Sequence, residues 1–456
     1  MKQVPSTLSA LIIIGFALTL GSCKPPTPGE QAQQAPQTKP RILISTDIGG
    51  TDPDDNQSMT HLMMYSDLFD IEGIVSSPSY GTGSKEEILR MIDLYEKDYE
   101  KLSAHAPALM SPDELRKVCK QGRRGAAPLA GYDEPTEGSN WIIDCARRAD
   151  ERPLYILVWG ALEDVAQALH DAPDIEPNLR VYWIGGPNKK WGVNSYAYVA
   201  AHHPNLWMIE NNATYRGIFT ENKKLERHED FDANGMTRGP SDTLGMGYYD
   251  YAIRGAGALG DDFINYYKGV VKMGDTPSLL YMMNGDPEDP TTDSWGGRFV
   301  PFDHSSRYVF NRQLNTQDSI AAYGIIEIWM NGPEQPDMSE GTPCLTLTTD
   351  RQDWDGYYMG GGRYMARYCP KGPGTQTYVI SSNIEGLSTT GAFTAITGWP
   401  GTPQPTDYTL GAHWYTDCPE PELYDGGRWQ GVQTQLCWRN DILRDWATRW
   451  AWLREE

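Results

Sequence analysis

The chain has 456 residues and a formal charge of −22 at pH 7, from 39 basic and 61 acidic side chains. That balance argues against a basic face for nucleic acid or anionic lipid, and it suits solubility and cation binding. The length allows a large core and more than one domain.

At the N-terminus Lys2 precedes an apolar run, residues 7–20 (TLSALIIIGFALTL), too short to span a bilayer comfortably. Leu20-Gly21-Ser22-Cys23 follows at once. This resembles a bacterial lipobox, which implies that Cys23 is lipidated and becomes the first mature residue. The expected location is therefore the bacterial cell envelope. The expected species is a lipid-anchored lipoprotein, periplasm-facing or on the outer-membrane surface, touching the membrane only through its anchor. Residues 24–40 (KPPTPGEQAQQAPQTKP) read as an extended Pro/Gln-rich tether.

Residues 41–46 (RILIST) form a β-branched run ending in acids and glycines, the pattern of a buried strand and its C-terminal loop. Helical spacing over 56–66 follows, then a second strand over 70–77 (DIEGIVSS) and a Ser-capped helix over 84–99. Residues 153–158 (PLYILV) read as a strand, 161–170 as a helix, and 180–184 (RVYWI) as a strand before Gly185-Gly186. This alternation predicts an α/β fold, a mainly parallel sheet with flanking helices and a ligand beyond the carboxyl ends of its strands. Past residue 305 the texture becomes short strands (343–347, 362–368, 376–381, 391–397) broken by Gly, Pro and Asn, as in a β-sandwich. Helical periodicity returns over 436–453. The expected division is an α/β domain over 41–304, a β-rich insertion over 305–430, and a closing helix within 431–456 that packs on the α/β core.

Besides Cys23 there are six cysteines, at 119, 145, 344, 369, 418 and 437. In an exported chain an even count suggests disulfides. Nearest-neighbour pairing (119–145, 344–369, 418–437) is preferred among about 15 connectivities. No CxxC spacing occurs, which argues against a zinc or redox site.

The most informative stretch is Ser45-Thr46-Asp47-Ile48-Gly49-Gly50-Thr51-Asp52-Pro53-Asp54-Asp55. Four carboxylates crowd one loop after a buried strand. Unpaired, they repel one another and their pKa values rise, and a hard, oxygen-loving cation relieves this. A solvated acidic turn is the alternative for such a string alone. The spacing is not that of an EF-hand.

The TDIGGTDPDD loop resembles the aspartate-rich motif of the inosine–uridine nucleoside hydrolase superfamily. More closely, the chain resembles an exported nucleoside hydrolase-like family, some of whose members are labelled cellulose-binding. The matching stretches are RILISTDIGG, FDIEGIVSS, LYILVWGALEDVAQAL, GDTPSLLYMMNG, WGGRF and the closing WRNDILRDWATRWAW. The resemblance implies Ca²⁺ as cofactor. It implies Asp47 as metal ligand and general base, Asp55 as a chelator, Asp54 as a contact to sugar hydroxyls, and the Trp159 carbonyl and Asp275 as further ligands. Asp52 is an extra acid in this longer loop and a further candidate ligand, so the assignment among Asp52, Asp54 and Asp55 stays open. Asn188 and Asn194, near Gly185-Gly186, are expected to line the sugar pocket. Tyr80, which stands with Ser79 where the family has an asparagine, is expected to contact the substrate, and Gly274 stands where nucleoside hydrolases often have a histidine that helps the base leave.

The implied activity is hydrolysis of an N-ribosyl or related furanosyl bond in one inverting displacement, with water activated on calcium and Asp47 as base. The implied partner is a small nucleoside or glycan. The alternative is a non-catalytic glycan-binding (cellulose-like polysaccharide) lipoprotein on the same fold. Residues 325–398 resemble immunoglobulin-like modules of secreted glycoside hydrolases, through RYMARYCPKGPGTQTYVISS and the Gly391-Ala392-Phe393-Thr394 close. His202-His203 read as a surface turn, the glycines at 81 and 83 lack the context of a dinucleotide site, and no nucleophile-elbow motif is present.

Overall fold

The computed structural model describes residues 38–454 apart from 51, 220–247, 267–268 and 426. Cys23, the leader and nearly all of the tether lie outside the described residues. Among the described residues no helix is long and apolar enough to cross a membrane.

Strand β1 (Arg41–Thr46) is buried along its whole length. Ile42 and Ile44 enter one core and Leu43 the other, as a central strand covered on both faces requires. After it come α1 (Asp54–Met64), β2 (Asp70–Ser76), α2 (Lys85–His105), α3 (Pro112–Val118), β3 (Cys119–Gln121) and α4 (Glu137–Ala146). Then follow β4 (Leu154–Val158), α5 (Glu163–Asp171), β5 (Leu179–Ile184), α6 (Gly186–Trp191), α7 (Val193–His202) and β6 (Trp207–Asn211). Further on lie α8 (Gly257–Phe263), α9 (Thr276–Met283) and β7 (Phe299–Pro301). The Ser84 side chain caps α2 by accepting from the Glu87 N–H.

The β-rich part holds β8 (His304–Ser305), β9 (Arg307–Phe310), β10 (Ser319–Ala321), β11 (Ile325–Asn331), β12 (Pro343–Thr349) and β13 (Gln352–Tyr358). It continues through β14 (Arg363–Tyr368), β15 (Gly374–Ser381), β16 (Thr389–Ile396) and β17 (Tyr408–Thr409). The chain closes with β18 (Trp414–Asp417), α10 (Gln433–Leu436) and α11 (Arg439–Trp452).

The first sheet runs β3-β2-β1-β4-β5-β6-β18-β7. All its pairs are parallel except β18 with β7. The sequence reading ended the β-rich insertion at 430. The structure ends it before 414, because β18 lies in the α/β sheet between β6 and β7. Four residues are too short for a periodicity to reveal this. Trp446 and Trp450 of α11 are buried in the core that holds Ile42, and the Trp446 ring stands 5.3 Å from that of His61 on α1.

The β-rich part is one eight-stranded sheet, β10-β16-β15-β12-β13-β14-β11-β9. It is antiparallel inside and parallel at its two outer pairs. Its edges approach where the Ala321 N–H donates to the Tyr308 hydroxyl at 3.1 Å, so the expected sandwich takes the form of a near-barrel. Ile326, Leu347, Tyr364 and Phe393 fill its interior. Tyr323, Ile325, Cys369 and Trp399 pack instead into the α/β core beside Tyr196.

The expected disulfides do not form: Cys119, Cys145, Cys344, Cys369 and Cys418 are free thiols. Proximity in sequence misleads here. Cys119 and Cys145 sit in the cores on opposite faces of the sheet, and Cys344 and Cys369 also belong to different cores. The Cys418 thiol donates to the Arg298 carbonyl at 3.2 Å.

Candidate metal centre

In the first sheet the chain leaves β1 towards β2 on one side and places β4 on the other. A crevice opens at the carboxyl ends of β1 and β4, the place where such sheets bind ligands. Its walls are tied together by backbone bonds, from the Trp159 N–H to the Ser45 carbonyl at 2.7 Å and from the Ser77 N–H to the Thr46 carbonyl at 2.8 Å. Gly49 turns the loop after β1 at φ +91°, a conformation that favours glycine. The crevice is a cleft of about 480 Å³.

Two helices start at its floor. Asp54 and Asp55 form the first turn of α1, and Asp275 is the N-cap of α9. An N-cap aspartate usually spends its carboxylate on the backbone of the first turn. Asp275 does not: its side chain makes no capping bond, and its buried Oδ2 has no hydrogen-bond partner. Oxygens of Asp54, Asp55 and Asp275 lie within 4.8 Å of one another. Asp55 also accepts a hydrogen bond from the Thr46 hydroxyl.

The electrostatics are those of unrelieved repulsion. Burial pushes the Asp54 carboxyl up to about 8 against the pull of Lys272. Burial and the Asp275 and Asp47 charges hold Asp55 well above the usual range, and burial with the Asp54 and Asp47 charges does the same to Asp275. Half-buried Asp47 is raised less, to about 6; burial raises it, and hydrogen bonds with Asp55 and Ser79 hold it down. The two helix N-termini add partial positive charge but no full counter-charge. An all-oxygen donor set with an orphaned buried carboxylate oxygen fits a hard cation.

Other expected residues fall in varied places. Asp52 is exposed at the rim and pairs with Lys272 instead of joining the three carboxylates, as the loop carries it outward before α1 begins. Trp159 borders the cleft; its carbonyl accepts from Asn188 Nδ2 at 3.3 Å and its indole donates to Ser278 at 2.8 Å. Asn188 is in place, with Oδ1 accepting from the Ser79 hydroxyl at 2.5 Å and Nδ2 donating to the Ile184 carbonyl at 2.9 Å. Tyr80 stands half-exposed at the lip, its ring 5.2 Å from that of Trp191. Asn194 is not in this cleft. Its amide is consumed by Tyr357 at 2.9 Å and Arg367 at 3.0 Å, at the seam with the near-barrel.

The sequence reading missed Lys272, although it lies three residues before Asp275. It also missed the near-barrel's share of the cleft, Asp350, Lys371 and Gln376, and the rim pair Arg428 and Trp429. Nothing in the spacing of the β-rich part signals that these residues reach the acidic loop.

The family described as "Cellulose-binding Sde182, nucleoside hydrolase-like domain" matches residues 41–299. The chain belongs to this family. No curated protein matches it in sequence. Among solved structures it is similar to a nucleoside hydrolase-related hypothetical protein from Saccharophagus degradans, associated with carbohydrate metabolism. That pair is 18% identical with a TM-score of 0.45, covering 79% of this chain and 100% of the other. An inosine-uridine preferring nucleoside hydrolase from Bacillus anthracis is 14% identical, covering 59% of this chain and 86% of its own, with a TM-score of 0.36. A purine-preferring ribonucleoside hydrolase from Gardnerella vaginalis is 12% identical, covering 58% and 84%, with a TM-score of 0.35.

At Gly274 the structure supplies a physical reason for the departure from nucleoside hydrolases. A Cβ there would stand 2.6 Å from Asp54 Oδ2. A side chain at 274 can enter only if the Asp54 carboxylate moves aside.

Proposed function

We propose that the acidic cleft holds Ca²⁺ and that the protein is a glycosidase of nucleoside hydrolase type, acting outside the cytoplasm on an N-ribosyl or related furanosyl bond. The observation that carries this is the meeting of Asp54, Asp55 and Asp275, with Asp275 Oδ2 buried and unpartnered. Asp54, Asp55 and Asp275 would hold the ion, with Asp47 and the Trp159 carbonyl at its border. When bound, the cation acidifies a water and fixes the sugar hydroxyls.

The chain's own groups supply the rest. Asp47, with its carboxyl near 6, is ionised at neutral pH and takes the proton of the attacking water. The Asn188 amide, fixed by Ser79 and Ile184, shapes the sugar side of the cleft. Surrounding negative charge favours an oxocarbenium-like transition state. One inverting displacement needs no enzyme nucleophile.

Gly274 favours a second reading. With glycine there, nothing at that position protonates a nucleobase, and the family's cellulose-binding description points to glycans. A non-catalytic glycan-binding protein on this fold is the alternative. Asp47→Asn decides between them. On a substrate that releases reducing sugar, the variant should keep calcium binding and lose about 10² to 10⁴ in turnover. Full retention of activity removes Asp47 as base. Absence of turnover in wild type across nucleosides and furanosyl glycans, with glycan binding intact, selects the binder.

The motif ending in Cys23 supports a lipid-anchored location in the cell envelope. Fatty-acid labelling should fail for Cys23→Ser; equal labelling of both proteins would refute it.

A further inference from the structure

Beyond the acidic cleft, at the seam between the α/β domain and the near-barrel, lies a second cavity of about 680 Å³. Tyr80 and Trp191 border both cavities. The tight turn joining β12 to β13 stands at the same boundary. Asp350 at its tip faces the acidic cleft, while Arg351 and Gln352 face the second cavity. The turn is anchored, with Lys190 Nζ on Asp350 at 2.9 Å and the Trp191 indole N–H on Gln352 at 3.2 Å. Asp350 and Arg351 both adopt positive φ, +48° and +59°, where glycine and asparagine are usual.

The second cavity is lined by a buried carboxyl that the fold uses only in part. Glu163 is 2% exposed. Its Oε1 accepts from the Ala127 N–H at 3.2 Å, but its Oε2 has no hydrogen-bond partner. Neighbouring Asp164, equally buried, is fully used by Ser77, Thr136 and the Arg123 N–H. Burial raises the Glu163 carboxyl to about 7, against the Ser195 hydroxyl and the Ala127 N–H, which hold it down.

We propose that this second cavity is a sugar subsite continuous with the acidic cleft, and that the ligand is an extended, uncharged oligosaccharide lying across both over the Tyr80–Trp191 pair. This rests on the second reading above, in which the acidic cleft binds a glycan. Three features select the ligand class. The shared aromatic pair offers ring faces, on which sugars stack. The second cavity sets Arg123, Arg351 and Arg367 against Asp133, Glu163, Asp353 and Asp355, with Arg123 on Asp133 at 3.1 Å, so it holds no excess of positive charge for a phosphate or uronate. Glu163 presents one carboxyl oxygen to a hydroxyl, the commonest polar group of a sugar.

The test is calorimetric titration of the full chain, with and without calcium, using neutral β-1,4-glucan, xylan and mannan ladders from the disaccharide to the hexasaccharide. In at least one ladder affinity should tighten by about tenfold or more between the disaccharide and the tetrasaccharide, then level off. The double variant Arg351→Gly, Glu163→Gln should lose that gain and keep disaccharide affinity. Glycine suits the backbone at 351, and glutamine keeps the acceptor for Ala127, so folding is spared; an unchanged melting temperature checks this. Length-independent affinity, no binding by any ladder, or a double variant that retains the gain overturns the proposal. If calcium gives no stabilisation while the length dependence persists, the metal reading fails and the subsite stands. If calcium binds and length has no effect, the subsite fails alone.

Discussion

Two sets of charged side chains are buried near the carboxyl ends of the sheet strands, and they are built on opposite rules. Lys189 and Glu210 form an ion pair closed to solvent. The ammonium rests on the rings of Trp399 and Tyr196, at 3.9 and 4.0 Å, while Glu210 accepts from Tyr196 and Asn212, each at 2.7 Å. Every charge there has its answer. Asp54, Asp55 and Asp275 gather three carboxylates of one sign, with a buried oxygen left over. A complete network contributes to a unique packing; an incomplete one of like charges is tolerated where something outside the chain completes it.

The largest expected effect breaks the complete set. Lys189→Met leaves Glu210 buried without its counter-charge and should cost about 3–5 kcal/mol, read from urea unfolding of metal-free protein. The opposite sign is expected in the cleft, where Asp55→Asn removes one of the repelling charges. Its metal-free stability should equal or exceed that of wild type. Equal losses in both variants would show that the two clusters do not differ in kind.

Calcium sharpens the contrast. At a free concentration about 100 times Kd it should stabilise wild type by about 2.7 kcal/mol, seen as a rise in melting temperature. Asp55→Ala should abolish that rise, and Lys189→Met should keep it on a lower baseline. A wild-type melting temperature indifferent to calcium would sink the metal centre.

How far the sequence foretold this difference depends on distance along the chain. β1 was legible because RILIST is apolar on both faces, and Asp47, Asp54 and Asp55 because they follow it within one loop. Asp275 was legible only through a family motif, since no local pattern ties it to a loop more than 200 residues earlier. The pairing of Asp52 was not legible because its partner, Lys272, is 220 residues away. Asn194 lies outside the acidic cleft because its amide serves Tyr357 and Arg367, which belong to the near-barrel. Strand β18 is four residues long, and its place is set by β6 and β7. Local periodicity reads what a segment buries, and carries little about which distant segment meets it.

A smaller effect follows from the raised carboxyls. Asp54 near 8 and Asp47 near 6 keep protons that the unfolded chain has released at its usual value near 4. The folded state therefore binds more protons between about pH 4 and 8, and metal-free stability should fall as pH rises through that window. Calcium competes with those protons, so the stabilisation it gives should grow over the same window. Melting curves with calcium and with chelator should diverge from acid to neutral pH; parallel curves would mean that the carboxyls do not face the ion.

The smallest change, Gly274→Ala, adds one methyl. Gly274 is not in a left-handed conformation, so the backbone accepts alanine. The new Cβ meets Asp54 Oδ2 at 2.6 Å, the end of a side chain that can swing away. Stability of the metal-free protein should shift by less than about 1 kcal/mol, because moving Asp54 also relieves repulsion. Calcium affinity should drop by about tenfold, because the displaced carboxylate no longer closes on Asp55 and Asp275. The Lys189–Glu210 pair has no counterpart to this result: a group that serves only the fold cannot be moved without a matching loss of stability. Unchanged calcium affinity in Gly274→Ala would place Asp54 outside the coordination sphere and return it to the sugar-contacting role that the family resemblance implies.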